Sequence, residues 1–80
     1  KRTYGYYVFP LLEKDRLIGR IDMKAYRDRD VLIVRRVWPE QTIRWSDART
    51  RRVEAELQRV ARLAGVSEVR FEKDWLNPPA

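Results

Sequence analysis

Residues 16–26 read Arg16-Leu17-Ile18-Gly19-Arg20-Ile21-Asp22-Met23-Lys24-Ala25-Tyr26, and the predicted β-sheet is built around this stretch. Side chains of a β-strand point alternately to its two faces. The pattern puts apolar residues on one face, namely Leu17, Ile21, Met23 and Ala25, and a mixed set on the other, namely Ile18, Arg20, Asp22, Lys24 and Tyr26. This alternation is typical of a half-buried antiparallel strand. Gly19 inside it indicates a bulge or a close backbone approach.

Two further strands flank this one. Residues 4–13 are rich in aromatic and β-branched residues, which favour a strand, and Pro10 indicates an edge position or a bulge because proline cannot donate to a ladder. Lys14-Asp15 suits a tight turn, and residues 27–30 form the next loop. Residues 31–38 predict a third strand, apolar at first and then carrying Arg35 and Arg36. Three strands joined by short loops make a meander.

A helix is predicted over residues 47–64, with Ser46 as its N-cap and Gly65 as its stop. Its apolar stripe consists of Val53, Leu57, Val60, Ala61 and Ala64. Residues 66–72 predict a short fourth strand with Val69 and Phe71 facing inward. The sequence therefore predicts a single α+β domain over residues 1–80, an antiparallel β-β-β-α-β meander with one amphipathic helix packed on it. The strands could also curl into part of a small β-barrel.

The chain is strongly basic, with a formal net charge of +6 and 14 arginines among its 18 cations. Arginine pairs bidentately with phosphate or carboxylate, so this charge predicts nucleic acid, an anionic membrane or an acidic protein as partner. The alternative is that the charge serves solubility only. The chain begins at Lys1 and ends Asn77-Pro78-Pro79-Ala80, which we interpret as a piece of a longer polypeptide.

Several function classes lack the residues they need. The sequence contains no Cys and no His, so nucleophilic triads and the usual metal sites are excluded, and its three scattered glycines form no phosphate loop. We expect no catalytic residue, no cofactor and no metal in this chain. The absence of Cys fits a reducing compartment, so we expect a cytoplasmic protein. The longest apolar run, Val31-Leu32-Ile33-Val34, is far too short for a membrane span, so we expect no membrane partner.

The candidate binding residues are arginines and one lysine. On residues 16–26, Asp22 could hold Arg20 or Lys24 in position to meet a phosphate, or the row could be a solvated salt-bridge ladder. The outer helix face carries Arg51, Arg52, Arg59 and Arg62, which could track a phosphate backbone or form internal ion pairs. The aromatic residues could stack on bases, fill the core or dock onto missing protein; they include Tyr4, Tyr6, Tyr7, Phe9, Trp38, Trp45 and Trp75.

Three stretches carry a resemblance to a known family. They are Tyr4-Gly5-Tyr6-Tyr7-Val8-Phe9-Pro10-Leu11-Leu12, then Asp15-Arg16-Leu17-Ile18-Gly19-Arg20-Ile21-Asp22-Met23-Lys24, then Val34-Arg35-Arg36-Val37-Trp38, followed by a helix ending Leu63-Ala64-Gly65. Over roughly residues 4 to 71 the chain resembles the C-terminal part of the YcaQ/AlkZ-like family, often labelled winged-helix DNA-binding proteins. These are bacterial DNA glycosylases that unhook interstrand crosslinks and remove bulky alkylated bases.

The resemblance implies a terminal β-rich domain that braces the catalytic part and helps to form a channel for double-stranded DNA. The missing N-terminal winged-helix part of the same chain would be its second partner, and its location would be the bacterial nucleoid. The family's Gln-x-Asp or Gln-x-Gln catalytic motif is absent, since Gln41 precedes Thr42-Ile43 and Gln58 precedes Arg59-Val60. The predicted DNA contacts are Arg20, Lys24, Arg27, Arg35 and Arg36, with Arg51 and Arg52 on the helix. The alternative is a structural or protein-interaction module without nucleic-acid contact.

Overall fold

The computed structural model describes residues 7–76 and shows an α+β domain. Its elements in chain order are β1 (Val8–Glu13), β2 (Arg16–Tyr26), a 3-10 turn (Arg27–Arg29), β3 (Val31–Pro39), α1 (Asp47–Ala64) and β4 (Glu68–Phe71). The predicted order of strands and helix is therefore confirmed. Residues 4–6 of the predicted first strand lie outside the described residues.

The four strands form one sheet in the order β1-β2-β3-β4. The first three are antiparallel neighbours, as the meander predicts, whereas β4 pairs parallel with β3. The sheet is mixed because β4 reaches β3 after a helical crossover, the connection that parallel strands require. Within the described residues the sheet is open, with β1 and β4 at its edges, so these strands do not close into a barrel. Pro10 lies on an edge strand, as predicted.

A bulge at Ile18 overturns part of the predicted strand pattern. Leu11 pairs with Gly19 but Leu12 pairs with Leu17, so Ile18 is an extra residue in β2. The alternation changes parity there: Ile18 is 1% exposed and belongs to the core, while Leu17 is 39% exposed. The assignment of Leu17 to the buried face and Ile18 to the polar face was therefore wrong.

Gly19 shows both features that the sequence predicts for it. It follows the bulge, and a methyl group in its place would lie 2.6 Å from the carbonyl oxygen of Trp38 on β3. Such a distance is far inside van der Waals contact, so the backbones of β2 and β3 can approach this closely only at a glycine.

Both predicted ends of α1 are confirmed. The hydroxyl of Ser46 accepts a hydrogen bond from the backbone N–H of Arg49, and Gly65 ends the helix in the left-handed conformation at φ 83°. The backbone N–H of Val66 donates to the carbonyl of Ala61. Val66 is thus used in ending the helix, which is why β4 starts at Glu68 and not at the predicted residue 66.

The core lies between the sheet and α1. Its largest cluster consists of Ile18, Ile21, Val34, Val37, Ile43, Val53 and Leu57. A second, smaller cluster joins Leu32, Ala61 and Val66. Val69 and Phe71 of β4 pack against these clusters, as predicted. In the part of the chain that the structure describes, no helix is long and apolar enough to cross a membrane.

Candidate nucleic-acid interface

The sheet has one face covered by α1 and one face without a covering element among residues 7–76. We call the second the open face. Residues that alternate along β2 with core-facing residues point to the open face, and so do their partners on the neighbouring strands. They include Arg20, Asp22, Lys24, Ile33, Arg36, Trp38 and Arg70. The strand pattern thus brings several predicted phosphate contacts to one surface.

A second bulge places two arginines beside one carboxylate. Asp22 pairs with Arg36 and Met23 with Val34, so Arg35 is an extra residue in β3. The Nε atom of Arg35 lies 4.0 Å from Oδ2 of Asp22, and the two side chains are 51% and 9% exposed. Asp22 is therefore a nearly buried anchor whose partner is Arg35, not Arg20 or Lys24 as the strand spacing suggested. The guanidinium of Arg35 still reaches solvent.

Arg36 differs from its neighbour. It is exposed, and within residues 7–76 it makes no ion pair or side-chain hydrogen bond. Its five N–H donors are therefore not used by another described side chain. Of the predicted contacts, this is the side chain best placed to meet a phosphate on the open face.

Arg20 and Lys24 are both engaged, in different ways. Nη1 of Arg20 lies 3.2 Å from Oε2 of Glu40, a solvent-exposed ion pair that contributes under about 1 kcal/mol and that an incoming anion can compete with. The ammonium of Lys24 lies 4.8 Å from the ring centre of Tyr7 and 5.0 Å from that of Tyr26. These cation–π contacts hold the lysine at the β1 edge of the open face.

Arg27 has a structural contact. Its Nε donates to the carbonyl oxygen of Ala64 at 3.0 Å and so satisfies a carbonyl in the last turn of α1. Next to it, the carboxylate of Asp30 accepts from the backbone N–H of Ser67 at 3.0 Å and from its hydroxyl. The loop at residues 27–30 therefore fastens the β2–β3 connection to the end of the helix.

The helix arginines lie on the opposite side of the domain from the open face. Arg51 and Arg62 are exposed and make no side-chain ion pair within residues 7–76, whereas Arg52 lies 3.1 Å from Glu13. The seven predicted DNA contacts therefore do not form a single surface. Arg20, Lys24, Arg35 and Arg36 share the open face, Arg27 lies at one end, and Arg51 and Arg52 lie across the sheet.

Sequence reasoning missed the most firmly bound arginine. Arg49 donates to both carboxylate oxygens of Glu13, from Nη2 at 2.7 Å and from Nε at 3.1 Å, and also to the carbonyl of Arg44. Hydrogen bonds from Arg49 and then Arg52 lower the pKa of Glu13 to about 2, and the bond to Glu13 raises the pKa of Arg49. No local signal pointed to this pair. Arg70 on the open face was also missed, although the predicted inward positions of Val69 and Phe71 imply its outward one.

The aromatic residues divide into two groups. Trp45 and Trp75 pack partly buried against the core, where the indole N–H of Trp45 donates to the Thr50 hydroxyl at 2.9 Å; Trp38 is half-buried. The strongly exposed apolar side chains are instead Tyr7, Phe9, Leu12, Leu17 and Leu63. Three of these five belong to the β1–β2 hairpin, and Tyr7 directly precedes it. The exposed patch therefore does not contain the tryptophans, and Tyr4 and Tyr6 lie outside the described residues.

The open face carries exposed cations and offers few groups for chemistry. Among residues 7–76 no cluster of three acidic residues could hold a metal ion. The surface provides guanidinium and ammonium groups around one nearly buried carboxylate. Fold and surface together define a small α+β domain with a cationic sheet face. No protein-family model matches the chain, and no solved structure matches it.

Proposed function

We propose that this chain is a non-catalytic DNA-binding domain that contacts the phosphate backbone through the open face of its sheet. The observation that carries the proposal is the bulge in β3, which sets Arg35 and Arg36 side by side at the surface while Asp22 anchors only the first of them. Arg20 and Lys24 extend the same positive surface along β2. Phosphate contacts of this kind bind without reading sequence.

The resemblance to the C-terminal part of crosslink-unhooking DNA glycosylases supplies a context for such a domain. A glycosylase must take its target base out of the stack, which requires firm backbone contacts around the lesion. We propose that the open face provides some of these contacts and that catalysis belongs to another part of the parent protein. The absence of His and Cys from this chain fits that division of labour.

The test is a titration of fluorescent duplex DNA by anisotropy at several salt concentrations. The double variant Arg35→Ala/Arg36→Ala is compared with Arg51→Ala/Arg62→Ala, which removes the same charge from the helix side. Each phosphate contact contributes about 0.9 to the slope of log K against log salt. We expect the open-face variant to bind more weakly with a slope smaller by about 1 to 2, and the helix variant to keep the wild-type slope. Equal effects of the two variants would show that net charge alone drives binding.

A second candidate function rests on the exposed apolar side chains of the hairpin. Leu12 and Leu17 pair with each other across β1 and β2 and are 55% and 39% exposed, an unusual arrangement for two leucines. They favour a domain that docks onto the rest of its parent chain. Analytical ultracentrifugation of the chain and of Leu12→Ser/Leu17→Ser tests this: a concentration-dependent dimer that the variant abolishes supports docking, and a monomer at all concentrations counts against it.

A further inference from the structure

A groove of about 380 Å³ lies between the β1 edge of the sheet and the last turns of α1. Its floor is aliphatic and includes Met23, Leu32 and Val60, and its walls are formed by Tyr7, Phe9 and Lys24. Of the residues that line this groove, the function proposed above uses only Lys24.

The two aromatic walls are unusually exposed. Tyr7 is 40% and Phe9 44% exposed, and they lie two residues apart, so that both rings point to the same side of the edge. Such rings offer flat apolar surface to a planar ligand, and stacking on them contributes substantially to the binding of unpaired bases. Pro10 lies beside them and lacks an N–H, which disfavours a second strand that would pair along this edge.

The charge of the groove restricts its ligand further. Among the lining residues that the structure describes, Lys24 is the only charged one, and its ammonium lies 4.8 Å from the ring centre of Tyr7. A groove with aromatic walls, an aliphatic floor and one cation at its rim complements a flat ring that carries an anion. Lys24 belongs to the open face as well, so a nucleic-acid strand that meets Lys24 there would lie next to a side chain that lines the groove.

We propose that this groove accepts one unpaired nucleobase, stacked on Tyr7 and Phe9, with the adjacent phosphate beside Lys24. The inference rests on the proposed DNA-binding function and deepens it, because it adds a base contact to a surface that otherwise holds the backbone. The contact is independent of base identity, since every base has a flat face that can stack on the two rings.

The test compares two single strands of equal length and charge, a deoxythymidine decamer and a decamer of abasic sugar phosphates. We expect the base-bearing strand to bind about tenfold more tightly, as one stacked base predicts. Phe9→Leu, which keeps the apolar bulk but removes the ring, should bring the ratio close to one, and so should Tyr7→Ala. Leu63→Ala, an exposed apolar residue that does not line the groove, is the matched control and should keep the tenfold ratio. Lys24→Gln should weaken both strands and leave the ratio unchanged.

Three outcomes would overturn the groove inference. The first is equal binding of the two strands by the wild-type chain. The second is a ratio that survives Phe9→Leu and Tyr7→Ala. The third is displacement of the base-bearing strand by decanoate as readily as by thymidine monophosphate, since the groove would then take any apolar anion. In the first two cases, salt-dependent duplex binding through Arg35 and Arg36 would show that the proposed function stands without the groove. If the chain bound no duplex either, both the groove inference and the proposed function would be wrong.

Discussion

Arg49 and Glu13 are 36 residues apart in the chain and are joined by two hydrogen bonds, Nη2 to Oε1 at 2.7 Å and Nε to Oε2 at 3.1 Å. Arg52 adds a third bond to the same carboxylate at 3.1 Å. The side chain of Arg49 is only 15% exposed, and a two-point contact between a guanidinium and a carboxylate is stronger than a single hydrogen bond. It fastens the first turns of α1 to the tip of the β1–β2 hairpin.

This contact predicts a dependence of stability on pH. The bonds from Arg49 and Arg52 lower the pKa of Glu13 from 4.5 to about 2 in the folded chain. The unfolded chain therefore binds the proton more readily, so the stabilisation is fully present above about pH 4.5 and is lost as the pH falls towards 2. We expect Glu13→Gln to lower the melting temperature at pH 7, and the difference from wild type to shrink between pH 4.5 and 2.

The control for this experiment is Glu56→Gln, which removes the same charge from an exposed pair with Arg59 one helical turn away. Thermal melts followed by circular dichroism at steps of pH measure both variants. If the Arg49–Glu13 contact stabilises the fold, Glu13→Gln should lower the melting temperature much more than Glu56→Gln does. Identical melting curves for the two variants across the whole pH range would contradict it.

The close approach of β2 and β3 at Gly19 gives a second prediction. A Cβ atom there would lie 2.6 Å from the backbone oxygen of Trp38, and backbone cannot move aside as a flexible side chain can. We expect Gly19→Ala to lower the free energy of unfolding by about 1–3 kcal/mol, the usual cost of overpacking. Arg16→Ala, an exposed position on the same strand, should change it by less than about 0.5 kcal/mol. Urea denaturation measures both, and a neutral Gly19→Ala would mean that the strands can separate at this point.

Two leucines of α1 predict very different losses of stability for the same change from leucine to alanine. Leu57 is 2% exposed in the main core cluster, while Leu63 is 75% exposed. Leu57→Ala should cost about 2–5 kcal/mol, a large share of the stability of a domain of this size. Leu63→Ala should cost no more than about 0.5 kcal/mol. Denaturant unfolding of the two variants checks the orientation of the helix, and equal losses would show that its buried face is assigned wrongly.

Local signals explain why the helix was predictable to the residue. Ser46 caps its first turn, the apolar stripe keeps one face, and Gly65 adopts the left-handed conformation that ends it. The position of Leu17 and Ile18 was not predictable, because the bulge between them depends on how β2 pairs with Leu11 and Leu12 on another strand. The parallel pairing of β4 likewise depends on the path of the whole crossover.

The candidate site shows the same division between local and long-range information. Strand alternation correctly placed Arg20, Asp22 and Lys24 on one face. It could not identify the partners of Arg20 and Lys24, because Glu40 and Tyr7 come from other segments of the chain. The charge of Arg36 is informative only once the bulge and the lack of an ion pair within residues 7–76 are known.

The bulge at Arg35 and Arg36 gives a last prediction, which separates stability from binding at two adjacent residues. Asp22 is nearly buried and Arg35 lies 4.0 Å from it, so Arg35→Ala leaves a buried carboxylate with less compensation. Because Arg35 is half exposed, we expect a modest loss of about 1 kcal/mol in the free energy of unfolding. Arg36→Ala removes a side chain without an ion pair in the described residues and should cost less than about 0.5 kcal/mol.

In the duplex titration, however, the two single variants should weaken binding to a similar extent, since each removes one phosphate contact. Weakened binding by Arg36→Ala at unchanged stability would place the contact on the open face itself, and unchanged binding would mean that this arginine meets no phosphate.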